Sequence, residues 1–415
     1  MFICQGNHLQ THRRDWMFKK TMFTCFALIL SQQCFSQANK EPLKVGFITD
    51  MGGLYADIDG RGGQDAMQMA IDDFGGTVLG RKVEILSVDH QNKPDIASTK
   101  AREWIDQQGV SALFGGSNSA VGLAIAKVTD EKKRVYINNG GATSALTNEQ
   151  CSPYTVHYTY DTNALSNVTG KSIVTQGFKS WYFLTADYAF GAQLQKDATR
   201  VIESGGGKVL GASKHPLSAS DFSSFLIQAQ SSGAQVLGLA NAGGDTINSI
   251  KSAAEFGINK KMKIAGLLVF LTDIHSIGIN NAAGLSIASP WYWNQDEQSR
   301  EFASRFIHKQ KRMPTFVQAG NYSSMLTYLK AVKAAGTDDA DKVLAEMRKL
   351  KINDMFTQGG YIRKDGTMVH DFYLFEVKNP AEVKQPWDYY KMVKKVPGEQ
   401  AFNTLAESKC PYINK

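Results

Sequence analysis

The residues able to do chemistry gather in three turns. Ser117, Asn118 and Ser119 come after Gly115 and Gly116, directly behind the apolar run Ala112 to Phe114. Gly140, Gly141, Ala142 and Thr143 come after Asn138 and Asn139, behind Val135 to Ile137. Gly52, Gly53, Leu54 and Tyr55 follow Val45 to Ile48. Hydroxyls, amides and small residues that leave backbone N–H groups open suit a small polar or anionic head group. In parallel α/β sheets such turns lie beyond the carboxyl ends of the strands, where ligands bind.

The same residues do not assemble into catalytic machinery. No phosphate-loop pattern occurs, and Gly60-Arg61-Gly62-Gly63 lacks the dinucleotide spacing, so it reads as a tight turn opening a helix. Asp57-Ile58-Asp59-Gly60 hints at a calcium loop, but its twelfth position is Gln68, where a bidentate Glu is needed. Ser117 and Ser119 lack the flanking glycines of a nucleophile elbow. The histidines at 90, 157, 215, 275, 308 and 370 are scattered and read as surface or internally satisfied side chains. No metal, no cofactor and no enzymatic activity are expected. The aromatic residues are the remaining signal. Trp291-Tyr292-Trp293 suits packing at a crossing between lobes, whereas Tyr188, in a polar turn with Phe190, suits contact with a ligand.

Alternating strands and helices must position these turns. Strands are expected at Val45 to Ile48, Val83 to Val88, Ala112 to Phe114 and Val135 to Ile137. Apolar residues at helical spacing lie between them, such as Met67, Ala70, Ile71 and Phe74. The pattern restarts with strands at Trp181 to Thr185, Lys208 to Gly211, Gln235 to Ala240, Ile264 to Val269 and Leu285 to Ser289. Helices fall at Gly191 to Glu203, Asp221 to Gln230 and Gly244 to Phe256. Such alternation implies parallel sheets. A helical tract occupies 295–350, and 357–377 reads as a hairpin around Lys364-Asp365-Gly366-Thr367. Short crossings near Tyr158 to Asp161 and Pro290 to Asn294 join two α/β units, leaving a cleft suited to a ligand.

Lys19 and Lys20, the apolar run Met22 to Leu30 and Ser36-Gln37-Ala38 form a secretory signal pattern over residues 1–38, with cleavage expected after Ala38. The run is too short to span a bilayer. Removing Arg13, Arg14, Lys19, Lys20 and Asp15 takes the formal charge from +7 to +4, too mild to argue for nucleic acid. Cys151 and Cys410 then remain. In an exported chain two cysteines read as one disulfide, two free thiols being the alternative.

Four segments carry a family likeness: VGFITDMGGLYAD, FGGSNSAVGLAIAKVTDEKKRVYINNGGATSALT, FLTADYAFGAQL and PTFVQAGNYSSMLTYLKAV. In that order the chain resembles periplasmic substrate-binding proteins of branched-chain-amino-acid-type ABC importers. CSPYTVHYTYDT, PWDYYK and ESKCPYINK look like members that take aromatic or other carboxylic acids. The resemblance implies an α/β fold of two Rossmann-like lobes with parallel sheets joined by crossing hinge strands. Lobe 1 would comprise 43–157 and about 292–350, lobe 2 162–289 and about 355–409, with 410–415 as a tail. It implies ligand contacts at Tyr55, Ser117, Asn118, Ser119, Gly141, Ala142 and Thr143 in the first lobe. In the second they would be Asp161, Tyr188, Asn241, Ala242 and Phe270, with Phe316 and Gln318 from the helical tract. It further implies a periplasmic monomer that delivers a small carboxylate to membrane permease subunits. Phe270-Leu271-Thr272 stands where amino-acid binders carry a Gly- and Glu-rich turn, which favours an acid without an ammonium, although Asp161 and Asp245 could still serve one. A branched-chain amino-acid binder and a periplasmic sensor are the alternative readings.

Overall fold

The structure, a computed structural model, describes residues 40–413. The signal segment and its cleavage point lie outside the described residues. Strand β1 (Leu43–Thr49) is almost wholly buried, as a strand covered on both faces must be. It lies parallel between β3 (Arg81–Asp89) and β4 (Ala112–Gly115), and β5 (Val135–Asn138) and β6 (Thr155–His157) continue the sheet. A short β2 (Thr77–Val78) pairs antiparallel with β3, so the order is β2-β3-β1-β4-β5-β6. A second sheet, all parallel, has the order β10-β9-β7-β8. Its strands are β7 (Ser180–Ala186), β8 (Lys208–His215), β9 (Val236–Ala240) and β10 (Lys263–Gly266). The expected α/β architecture with parallel sheets is therefore present.

Helices are set by their caps. Asn118 accepts the N–H groups of Ala120 and Val121 and opens the helix Ser119–Lys132. Thr315 and Gln318 form a reciprocal capping box at the start of the long helix Phe316–Ala335, which Gly336 ends at φ 67°. This helix packs against the helix Gly60–Phe74. Two glycines make the approach possible. A Cβ on Gly62 would stand 2.4 Å from the Gln318 side chain, and one on Gly63 would stand 2.7 Å from that of Asn321. The helix start expected at Gly60 is confirmed, with Gly60 at φ +44°.

Several expected elements are corrected. The strand expected over Ile264 to Val269 stops at Gly266, because the Leu267 N–H makes the last ladder bond to the Leu239 carbonyl. Leu267 to Phe270 are buried in a turn, so apolar content marked burial there and not extension. The run expected over Leu285 to Ser289 is β11 (Ser286–Ser289), which does not join the parallel sheet. It pairs antiparallel with β15 (Phe372–Val377), which also pairs with β16 (Tyr390–Val396). The expected hairpin exists but is short. Strand β13 (Gln358–Ile362) meets β14 (Met368–Val369) around Gly366 at φ +87° and also pairs with β12 (Ile352–Asn353). The tract 295–350 divides into Glu297–Gln310, Phe316–Ala335 and Ala340–Lys349.

Candidate functional site

Each parallel sheet has one point where its strand order reverses. In the first sheet the chain departs β1 toward β3 and later returns to its other side at β4. In the second sheet the reversal separates β7 from β9. Loops leaving the carboxyl ends at such points diverge and open a crevice. The loop after β1 carries Tyr55 and Ile58, and the loop after β4 carries Ser117 and Ser119. Facing them, the turn after β7 carries Tyr188 and Phe190, and the turn after β9 carries Ala242. All seven residues line one cavity. Gly140 and Ala142 after β5, Tyr160, and Leu268 and Phe270 after β10 complete its wall.

The two sides meet at this cavity. The phenol oxygens of Tyr55 and Tyr188 are 2.6 Å apart. Burial raises both phenols well above their ordinary range, so each keeps its proton. Gly243, at φ +59°, allows a further close approach, since a Cβ there would stand 2.8 Å from the Leu54 carbonyl oxygen. The space open to the centre of a water-sized sphere is about 10 Å³, room for about one water. A benzoate-sized guest therefore requires the tyrosine pair, or another wall, to move.

The polar atoms are wired in one direction. His90 Nδ1 accepts the Asn92 N–H at 2.9 Å. Burial holds this imidazole down to about 4, so it is neutral and its proton sits on Nε2. Nε2 then donates to Ser117 Oγ at 3.2 Å, and the Asp50 N–H donates to the same oxygen at 3.1 Å. Thr49 Oγ1 gives its proton to Asp59 at 2.6 Å, so the 2.9 Å contact between Thr49 and Ser117 uses the Ser117 proton. One donor and two acceptor positions exhaust a serine hydroxyl. Ser117 has nothing left for a ligand when Asp59 is ionised. Ser119 differs: its Oγ accepts the Thr143 N–H at 3.2 Å, and its proton remains available.

The structure thus brings Tyr55, Ser117, Ser119, Ala142, Tyr188, Ala242 and Phe270 together in one wall. The other expected contacts do not line it. Asn118 is spent on its helix cap. Gly141 joins Asn138 through its N–H and carbonyl. Thr143 caps the short turn Ser144–Thr147. Asp161 accepts the Ala164 N–H at 2.7 Å, and burial pushes its carboxyl up to about 7. Asn241 is saturated by His215, Ser249 and Thr246. Gln318 serves Thr315 and the Asp59 carbonyl. Phe316 lies one ring back, stacked on Phe270.

Sequence reasoning did not assign Ile58, Gly140, Tyr160, Phe190 and Leu268 to the site. Tyr160 and Phe190 carried a signal, as aromatics beside a crossing and a strand end. Leu268 was hidden inside a run read as strand. At the far end of the chain, Cys151 and Cys410 come to disulfide geometry with Cα atoms 5.5 Å apart, as expected.

Known proteins resemble the chain along its length. A periplasmic binding protein from Burkholderia mallei is 59% identical, aligned over 89% of this chain and 98% of that one, with a TM-score of 0.88. A branched chain amino acid ABC transporter periplasmic ligand-binding protein from Burkholderia xenovorans LB400 is 38% identical over 89% and 99%, at a TM-score of 0.80. A solute binding protein of an ABC transporter from Rhodopseudomonas palustris BisB5, in complex with 3,4-dihydroxy benzoic acid, is 25% identical over 86% and 98%, at 0.78. Among the described residues no helix is long and apolar enough to cross a membrane. The likeness is to substrate-binding components of transporters, not to enzymes. Residues 42–382 match the family described as periplasmic binding protein, and the chain belongs to that family.

Proposed function

We propose that this chain captures a small aromatic carboxylic acid in the cavity between its two parallel sheets and delivers it to the permease of an ABC transporter. One observation carries the reading. The wall combines Tyr55, Tyr160, Tyr188, Phe190 and Phe270 with serine hydroxyls at the start of the helix Ser119–Lys132, and no Asp or Glu is among its lining residues. Aromatic faces suit a flat ring. A helix N-terminus with a free hydroxyl suits a carboxylate. Ligand would bridge the two lobes, replace the Tyr55–Tyr188 bond and shift the population toward the closed form that the permease recognises. On this reading the chain folds into two lobes, and the signal segment is removed on export to the periplasm. The ligand seen in the Rhodopseudomonas relative supports this class.

A branched-chain amino acid is the second reading, favoured by the description of the Burkholderia xenovorans relative. Calorimetry and thermal melts with 4-hydroxybenzoate, leucine and ATP separate the readings. At a hundredfold excess over its dissociation constant, the true ligand adds about 2.7 kcal/mol of stability. A response to leucine and none to the aryl acid would replace the first reading with the second. A response to ATP alone would remove both.

A further inference from the structure

A second cavity lies behind the first. By the same measure it offers about 10 Å³. Its wall is mostly aromatic, with Trp291, Tyr292, Trp293, Phe316 and Tyr390. One pair of rings divides the two spaces. Phe270 lines the first and Phe316 the second, and the rings stack with centroids 4.7 Å apart and planes 22° apart. Tyr160, from the first cavity, meets the edge of Phe316 at 5.1 Å. Stacked phenyl rings carry no hydrogen bonds, so a flat ring sliding between them replaces one stacking contact with two.

The polar atoms of this aromatic box are nearly all committed. Ser289 Oγ donates to the Trp291 carbonyl at 2.6 Å. The indole N–H of Trp291 donates to the Met355 carbonyl, and that of Trp293 to the Trp387 carbonyl, each at 2.9 Å. The Tyr292 hydroxyl also donates to the Trp387 carbonyl, at 3.1 Å. Tyr390 is the exception. It is 5% exposed, and its hydroxyl has no hydrogen-bond partner among the described residues. A buried hydroxyl without a partner is costly to keep, and it rewards any guest that supplies an acceptor.

We propose that the aromatic box is the distal half of the ligand site: an elongated aryl acid parts the Phe270–Phe316 stack, and its far oxygen bonds the Tyr390 hydroxyl. This rests on the aryl-acid reading and adds chain length and a distal oxygen to it. The carboxylate stays near Ser119, the ring replaces the phenyl contact, and Tyr390 reads what lies beyond. Short acids such as benzoate fill only the first cavity and never meet Tyr390.

The test is calorimetry on the wild-type chain and on Tyr390→Phe, with benzoate and with 3-(4-hydroxyphenyl)propanoate. The variant deletes only the unpartnered oxygen, and a urea melt checks that its folding is unchanged. The expected result is a weakening of about five- to tenfold for the long phenolic acid, the worth of one hydrogen bond, with benzoate within about twofold. Equal loss for both acids, or loss for neither, overturns the proposal. So does a variant that binds both acids normally but melts earlier, since the hydroxyl would then serve a trapped water. A wild-type chain that binds benzoate and rejects the long acid removes the box and leaves the proposed function intact. A wild-type chain that binds no aryl acid removes both.

Discussion

Ser117 and Ser119 are two residues apart, yet their replacement by alanine should fail in different ways. At pH 8 the Asp59 carboxyl, pushed up to about 7 by burial, is ionised and draws the Thr49 proton. The Ser117 proton is then committed to Thr49. Ser117→Ala removes no donor from the ligand, but it orphans the Asp50 N–H and the His90 Nε2–H, both buried. Each orphaned donor costs about 1–3 kcal/mol, so stability should fall by about 2–6 kcal/mol. Ser119→Ala removes the one uncommitted serine proton in the wall. Losing a hydrogen bond to a carboxylate costs about 1.5–3 kcal/mol of binding, about a 10- to 150-fold rise in Kd. It also leaves the Thr143 N–H unpaired, a single orphan costing about 1–3 kcal/mol of stability. Calorimetry with 4-hydroxybenzoate and urea melts at pH 8, run on both variants, separate the effects. The reasoning is refuted if Ser117→Ala loses more than about tenfold in affinity with an unchanged melt. It is equally refuted if Ser119→Ala binds like the wild type.

Asp59 supplies a pH prediction. Its folded value is raised from 3.8 to about 7, so the native state holds the proton more tightly than the unfolded chain. Stability from this group is therefore fully present below about 4, falls as pH rises, and is gone above about 7. Asp59→Asn cannot ionise, so its advantage should grow across that window toward about 4 kcal/mol at pH 8, visible in urea melts at pH 5 and 8. An advantage that is larger at pH 5 would show the sign to be wrong. The Cys151–Cys410 bridge closes a separation of 259 residues. Reducing it should cost about 2–5 kcal/mol of stability. Affinity should stay unchanged, because the tail is also held by Ser408 on the Thr147 carbonyl and Lys409 N–H on Asn148. Identical melts for oxidised and reduced protein would contradict this.

The sequence disclosed strand-end turns more readily than distant pairings. Ser117, Ser119 and Tyr55 were legible because each follows a short apolar run and a pair of glycines, a local pattern. Gly115 and Gly116 adopt φ +100° and +82°, which explains why those positions carry glycine. Thr143 and Asn118 have the same chemistry in the same kind of turn, but they cap a 3-10 turn and a helix. Composition alone does not separate a hydroxyl aimed at a ligand from one aimed at a backbone N–H. Strand β16 was missed because Lys391 to Lys395 are exposed on a sheet edge, where the sequence carries little apolar alternation. The turn Leu267 to Phe270 was misread for the opposite reason, since a fully buried turn and a buried strand show the same apolar run.

The choice between an aryl acid and an amino acid comes down to where the buried carboxylates point. An ammonium enclosed in a wall like this one needs an acidic partner, because burying an unpaired cation is prohibitive. The buried acids beside the wall are already engaged, Asp59 by Thr49 and Asn321 and Asp273 by the Phe270 N–H among them. Asp50 accepts the N–H groups of Gly53 and Tyr55 and the Asn92 amide. Asp245 accepts the N–H groups of Ser218 and Ala219. Asp161 caps a helix, and burial raises it so far that it is half protonated near pH 7. Recruiting any of them would strip acceptors from buried donors, at about 1–3 kcal/mol for each. A carboxylate brings no such demand. It would find the Ser119 hydroxyl and the first turn of a helix, and its ring would meet Tyr55, Tyr188 and Phe270, which line the cavity. The proposed anion with a flat apolar body fits a wall that carries no Asp or Glu among its lining residues. That asymmetry favours the aromatic acid even though one relative's description mentions branched-chain amino acids.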